Sequence, residues 1–167
     1  TTQARIRVTE SGNPVNGDQS DSVFQIRPLL NPFSLISPPQ LYSTAVSSGD
    51  TSKIHFTFSN AGTLPEIKYK WTLSTINNQY SFTSFSNNSG SDTSFSITRG
   101  KIDSLVSSWG AANIGDSLRV KWKVKSYTQL DSGSSQNNFL ITFHRSVIGI
   151  EPLSSLIPEK FFVNPNY

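Results

Sequence analysis

The stretch at residues 118–127 constrains the fold of this chain more than any other part of its sequence. Its side chains alternate strictly between apolar and basic. That period of two predicts a β-strand with one face in a core and the other in water. The apolar members are Leu118, Val120, Trp122 and Val124, and the basic members are Arg119, Lys121, Lys123 and Lys125.

The same alternation recurs in short runs along the chain, and Gly, Asn, Asp and Pro separate the runs. Short strands at such regular spacing are typical of a sandwich of two packed sheets. We therefore predict an all-β protein, an immunoglobulin-like β-sandwich of about seven strands. The predicted strands lie at residues 33–37, 54–58, 67–73, 79–85, 93–98, 118–125 and 139–143.

One helix interrupts this pattern, at about residues 99–109. Thr98 is a suitable N-cap and Gly110 a suitable stop. We expect the helix to lie across the open end of the sandwich, with Trp109 plugging the core. The apolar side chains that predict it stand at i, i+3, i+4 and i+7 and are Ile102, Leu105, Val106 and Trp109.

Residues 1–28 predict a β-hairpin arm of two strands around a turn-rich loop at 11–18. An isolated two-stranded hairpin is marginal in water, so the arm needs a partner sheet. It is the tail of a preceding domain, is completed by strands of another chain, or packs on the main domain. The apolar side chains that would make the assembly contact are Ile6, Val8, Phe24 and Ile26.

Composition excludes several classes of protein. Cysteine is absent, which rules out disulfides, a thiolate metal site and a cysteine nucleophile. The net charge of +3 and a charged fraction of 15% do not indicate a nucleic-acid-binding protein. No apolar run approaches the roughly 20 residues of a membrane helix. Methionine is missing even at position 1, so we expect a processed or excised chain.

Several short motifs are spread over residues 33–146. They include Leu35-Ile-Ser-Pro-Pro39, Tyr69-Lys-Trp71, Gly115-Asp-Ser117 and Ile141-Thr-Phe-His-Arg145. Together they resemble the immunoglobulin-like domains of the SusE-like group in Bacteroidetes-type bacteria. The resemblance implies an extracellular module on or beside a polysaccharide-using outer surface, and it does not by itself imply sugar binding.

The two ends of the chain resemble other modules. Arg5-Ile-Arg-Val8 with Ser20-Asp-Ser-Val-Phe-Gln-Ile26 looks like the end of a bacterial immunoglobulin-like module related to the serine/threonine-rich fungal wall-anchor family. Ile157-Pro-Glu-Lys-Phe-Phe-Val-Asn-Pro-Asn-Tyr167 resembles the opening of a type IX secretion sorting domain. These likenesses divide the chain into residues 1–28, a sandwich at 29–146, and a linker with the start of a sorting domain at 147–167.

Residues suited to catalysis or to metal binding are sparse. The two histidines, His55 and His144, fall on outward strand positions, and we expect them to be solvated. No pair of carboxylates is marked for hydrolysis, so we predict that the chain is not an enzyme and uses no cofactor. A calcium site and a simple turn-rich loop explain one oxygen-rich cluster equally well. That cluster is Asn13, Asn16, Asp18 and Asp21.

The strongest candidate for binding is a basic stripe. If the strands at 67–73 and 118–125 are neighbours, six cations share one face and would attract an acidic partner. The alternative is a solvated face whose lysines discourage edge-to-edge pairing. The aromatic run Tyr80, Phe82 and Phe85 is either a sugar-stacking platform or core. The six basic residues are Lys68, Lys70, Arg119, Lys121, Lys123 and Lys125.

Two functions follow as expectations. The first is a non-catalytic, secreted structural module of the outer cell surface, and its sharper form is a fibre subunit joined to the next by β-strand addition. The second is a glycan-binding accessory module of a polysaccharide-using surface protein. The expected partners are further copies of the chain, neighbouring surface domains or a glycan; a nucleic acid and a membrane span are not expected.

Overall fold

The computed structural model describes residues 2–19, 24–26, 30–63 and 66–147. They contain thirteen strands, the α-helix α1 (Arg99–Ser108) and a short 3-10 helix, Asn88–Gly90. The strands are β1 (Thr2–Ala4), β2 (Arg7–Glu10), β3 (Asn13–Gln19), β4 (Phe24–Ile26), β5 (Leu35–Ser37), β6 (Tyr42–Val46), β7 (Lys53–Phe58), β8 (Lys68–Thr75), β9 (Ser81–Phe85), β10 (Ser94–Thr98), β11 (Ser117–Tyr127), β12 (Ser132–Ser134) and β13 (Phe139–Arg145).

Two sheets form the main body of the protein. The larger has the order β6-β13-β11-β8-β9, with β12 pairing the C-terminal part of β11, and the smaller has the order β10-β7-β5. All pairs are antiparallel except β6 with β13, which is parallel. The predicted all-β, immunoglobulin-like sandwich with one short helix is confirmed.

Aromatic side chains from both sheets meet in one core. The ring of Phe56 on β7 lies 4.7 Å from that of Trp71 on β8 and 5.1 Å from that of Trp122 on β11, measured between centroids. All three side chains are fully buried. The inward positions of β11 are therefore core, as its alternation predicts.

Helix α1 begins as predicted, because the Thr98 hydroxyl accepts a hydrogen bond from the Lys101 amide at 3.2 Å. The prediction that Trp109 plugs the core is wrong in detail. Ile102 and Val106 are the fully buried side chains, whereas Trp109 is half-buried at the C-cap. The helix ends one residue before Trp109, so its ring packs on the rim of the core.

A buried ion pair fastens α1 to β13. Arg145 donates from Nε to Oδ1 of Asp103 at 2.8 Å and from Nη2 to Oδ2 at 3.1 Å. Its Nη1 also donates to the carbonyl of Ala111 at 3.0 Å. The bond to Asp103 raises the pKa of Arg145. The charge of β13 is thus used within the fold and not offered to solvent.

The N-terminal arm is a set of short paired strands, and its predicted loop is wrong. β2 pairs with β3, and β1 pairs with β4, so Asn13–Gln19 is a strand and the turn shortens to Ser11-Gly12. Gly12 takes a φ of +89°, which suits a glycine at a tight turn. Backbone pairing overrides the turn-rich composition of this segment.

The oxygen-rich cluster, for which a calcium site and a turn-rich loop are the two explanations, does not lie in a loop. Asn13, Asn16 and Asp18 stand on β3, so the loop explanation is wrong for these three residues. The side chains of Asn13 and Asn16, and residue 21, lie outside the described residues.

The assembly residues of the arm are described only in part. Ile6 and Val8 are 59% and 68% exposed. The side chains of Phe24 and Ile26 lie outside the described residues, as does the resemblance to a sorting domain at 157–167.

Two strands of the sandwich, β6 and β12, were not predicted. The signal for β6 is weak, because the inward positions Tyr42, Thr44 and Val46 include a polar residue and the exposed position Ala45 is apolar. β12 reads Ser-Gly-Ser and has no apolar pattern. Across the described part of the chain, no helix is long and apolar enough to cross a membrane.

Candidate functional site

The six predicted basic side chains lie together on the outer surface of β8 and β11, here named the cationic face. The two strands are antiparallel neighbours, and Lys125 lies directly opposite Lys70. Because the inward positions Trp122 and Val124 are fully buried, the residues between them point to solvent. The face comprises Lys68, Lys70, Arg119, Lys121, Lys123 and Lys125.

Both strands of the cationic face are interior to the sheet. β11 lies between β8 on one side and β13 with β12 on the other, and β8 lies between β11 and β9. Lysines discourage edge-to-edge association only where a strand has an unpaired edge. These lysines therefore protect no strand edge, which removes that part of the alternative interpretation. The exposure of Lys70, Lys123 and Lys125 agrees with its other part, a solvated face.

Among the described residues, no carboxylate lies within 4.0 Å of a basic group of the cationic face. Within residues 2–19, 24–26, 30–63 and 66–147, the one ion pair shorter than 4.0 Å joins Arg145 to Asp103. Lys68 donates to the Ser91 hydroxyl at 2.6 Å and Lys121 to the Ile76 carbonyl at 3.0 Å, and both of these acceptors are uncharged. The face accordingly presents an uncompensated positive potential.

One pair of lysines is placed at a cost to stability. Lys70 and Lys125 occupy directly opposing positions on adjacent strands, where like charges repel. Their neighbours across the sheet are uncharged: Phe85 lies opposite Lys70 on β9, and Ser134 lies opposite Lys125 on β12. An opposing carboxylate would relieve the repulsion, and the sequence provides none there.

An aromatic pair borders the cationic face at the β9 edge. Lys70 Nζ lies 5.1 Å from the ring centroid of Phe85 and 5.4 Å from that of Tyr127. The two centroids are 6.2 Å apart. Phe85 is 48% exposed, although its neighbours Ser81 and Thr83 on the same face are polar. An exposed aromatic ring, that of Phe85, therefore lies next to the positive charge of Lys70 on the same surface.

The predicted platform of three aromatic residues is wrong. Phe82 and Phe85 are an odd number of residues apart, so a strand places them on opposite faces. Phe82 is half-buried with its ring centroid 6.4 Å from that of Trp71. Tyr80 precedes β9 and is 41% exposed. Only Phe85 joins the cationic face, and it does so with Tyr127.

A cleft of about 470 Å³ opens beside Tyr127. Burial raises the pKa of the Tyr127 hydroxyl, whose oxygen has no hydrogen-bond partner among the described residues. The cleft lies at the end of the face where β8 begins and β11 ends. Its lining comprises Glu66, Lys68, Tyr127, Thr128 and Gln129.

The histidines make no metal or catalytic arrangement with acids. His144 bonds Ser43 Oγ through Nε2 and Ser117 Oγ through Nδ1, each at 2.6 Å, and His55 Nδ1 lies 2.9 Å from Ser96 Oγ. Both rings are exposed, as predicted. Within the described part of the chain, no three His, Asp or Glu side chains converge on a common point.

Fold and geometry together define an all-β sandwich whose larger sheet carries a cationic outer face with an aromatic border. No protein-family model, curated protein or solved structure matches this chain.

Proposed function

We propose that this chain is a non-catalytic module that works outside the cell and binds an acidic polysaccharide through the cationic face. The observation that carries the proposal is the set of six basic side chains on two interior strands with no carboxylate partner among the described residues. Neither edge protection nor internal ion pairing accounts for them.

The shape of the face suits an extended polymer. Outward residues of a strand repeat every two positions, about 7 Å, so Arg119 and Lys125 are about 20 Å apart along β11. Hydroxyl groups lie among the cations, including those of Thr72 and Thr83, whose oxygens are 3.0 Å apart. Alternating cations and hydroxyls match a chain that carries both carboxylates and hydroxyls.

The extracellular setting rests on the sequence. A chain without cysteine or methionine, rich in Ser, Thr and Asn, and similar to the SusE-like group fits a module of a polysaccharide-using surface. The module would hold the polymer while other proteins act on it.

Affinity electrophoresis in gels containing polygalacturonate tests this function. Wild-type protein should be retarded, and retardation should shrink as salt is added because exposed charges are screened. The double variant Lys121→Ala/Lys123→Ala should lose most of the retardation. Lys53→Ala/Lys101→Ala removes the same charge elsewhere and should behave as wild type.

Two results would contradict the function. One is migration unaffected by any acidic polysaccharide, and the other is equal loss of retardation in both double variants. Retardation by nucleic acid but not by polygalacturonate would assign the face to a different polymer.

The arm supports a second function, assembly of copies into a fibre. The described side chains at residues 5–9, 11–12 and 17–19 are all exposed, so these residues of the β2–β3 hairpin bury little surface in their own chain. Two-stranded hairpins are marginal in water without further packing. A second copy is a natural source of that packing.

Light scattering after gel filtration tests the assembly. We expect oligomers that dissociate on Val8→Lys, which charges an exposed apolar position of β2. Leu130→Lys, at an exposed apolar position of the sandwich, should leave them intact. A monodisperse monomer at high concentration would argue against assembly.

A further inference from the structure

We propose that Phe85, Lys70 and Tyr127, with the adjoining cleft, form a subsite for a single uronic acid residue. This inference rests on the proposed function, because it names the sugar class that the cationic face selects. The three residues come from three different strands, so only the pairing of the strands brings them together.

The order of side chains across the sheet supports the subsite. Phe85, Lys70 and Lys125 lie directly opposite one another on β9, β8 and β11. Neighbouring strands are about 4.8 Å apart, so Lys70 lies one strand spacing from Phe85 and Lys125 lies two, about 10 Å. A uronic acid has an apolar C–H face and a carboxylate on its rim. It can stack on Phe85 while its carboxylate contacts Lys70 or Lys125.

The ring of Phe85 is held in place from below. Gly90 is the last residue of the 3-10 helix and has a φ of +91°, and a Cβ added there would lie 2.9 Å from Cδ1 of Phe85. The glycine thus leaves room for this ring orientation. Lys70 Nζ lies within cation–π distance of both rings and so adds a contact that restrains Phe85, while 48% of this residue stays exposed. An exposed phenyl ring in a fixed position is suited to stacking, because little conformational freedom is lost on binding.

The cleft supplies groups for sugar hydroxyls. Thr128 and Gln129, which have polar side chains, line the cleft, whereas Tyr127 Oη has almost no accessible surface. Glu66 lines the same cleft and is exposed, so its carboxylate can accept hydrogen bonds from hydroxyl groups. A carboxylate here also disfavours polymers with a dense row of charges. The combination favours a ring with one acidic group and several hydroxyls.

Titration calorimetry with trigalacturonate, with the neutral galactose trisaccharide and with linear polyphosphate tests the subsite. Trigalacturonate should bind most tightly. Phe85→Ala should weaken it about fivefold to tenfold, the loss expected for one stacking contact, and should leave polyphosphate binding unchanged. Phe85→Tyr keeps the ring and should retain binding. Lys123→Ala lies on the cationic face away from the rings and should weaken both anions in equal proportion.

Circular dichroism of each variant establishes that it is folded, and Phe85→Tyr keeps the test decisive if the alanine variant unfolds. The subsite is wrong if Phe85→Ala leaves trigalacturonate binding intact, or if it weakens both anions alike. In either case retardation by polygalacturonate that depends on Lys121 and Lys123 would still support the proposed function. If no acidic polysaccharide binds wild-type protein, the function itself fails and the subsite with it.

Discussion

Replacing Lys125 with Thr should make the protein more stable and a poorer binder of acidic polymers. Lys125 stands directly opposite Lys70 and two positions from Lys123 on the same face. Threonine suits an outward strand position, so the substitution removes a charge without disturbing the sheet. A site kept for binding is expected to show this exchange of stability for function.

The size of the gain follows from the charges nearest to Lys125. Taking about 7 Å to each of the two neighbouring ammonium groups, Coulomb's law in water gives about 0.6 kcal/mol per pair. With a Debye length of about 30 Å at 10 mM salt, most of that repulsion survives, for a total of about 1 kcal/mol. At 1 M salt the Debye length is about 3 Å and the gain should nearly vanish. For a sandwich of this size, about 1 kcal/mol corresponds to a rise in Tm of about 3 °C.

Differential scanning calorimetry at 10 mM and 1 M salt measures the effect. Lys53→Thr is the matched control, because Lys53 is exposed and lies opposite Thr98 instead of another cation. It should change Tm by much less at low salt. Equal gains in the two variants, or a gain for Lys125→Thr that persists at 1 M salt, would show that strand propensity and not charge repulsion is responsible.

Three further predictions concern the fold that carries the face. Phe56→Ala should lower the free energy of unfolding by about 3–5 kcal/mol in urea titrations, because the fully buried ring contacts Trp71 and Trp122; a loss below about 1 kcal/mol would mean that the two sheets are not joined there. Gly90→Ala should lower the free energy of unfolding by about 1–3 kcal/mol, since the φ of Gly90 is +91° and the added Cβ would press on Phe85. An unchanged free energy of unfolding in the same titrations would contradict the positive φ and the close contact at Gly90. Burial raises the pKa of Tyr69 above its usual 10.0, so above about pH 10 the hydroxyl ionises first in the unfolded chain and stability should fall as pH rises. Thermal melts at pH 9 and 11 would reveal that fall, and Tyr69→Phe should reduce its slope.

Much of the sandwich could be predicted because its strands carry an apolar face. Residues 118–125 alternate so strictly that one face had to be core, and Trp122 is indeed fully buried. The helix was predictable from its N-cap at Thr98 and its spacing. The strands β6 and β12 were missed because backbone pairing to β13 and β11 defines them more than their side chains do.

The site was predictable only in its components. The alternation within each strand identified the six cations. Their neighbours depend on strand order and register, which cannot be predicted from the sequence of a single strand. The meeting of Phe85 with Lys70 is set by the register of β8 and β9. The period of two in a strand already places Phe82 and Phe85 on opposite faces of the sheet. In the arm, a turn-rich composition hid the strand at Asn13–Gln19.

Mapping the binding surface by NMR tests the central claim most directly. Backbone amide shifts of the labelled protein would be followed while polygalacturonate oligomers are added at low salt. The proposed function predicts saturable shift changes confined to β8, β9 and β11, largest between Lys68 and Thr72 and between Lys121 and Tyr127, and reversed by added salt. Absence of shifts, or shifts centred on the β10-β7-β5 sheet, would contradict a binding role for the cationic face.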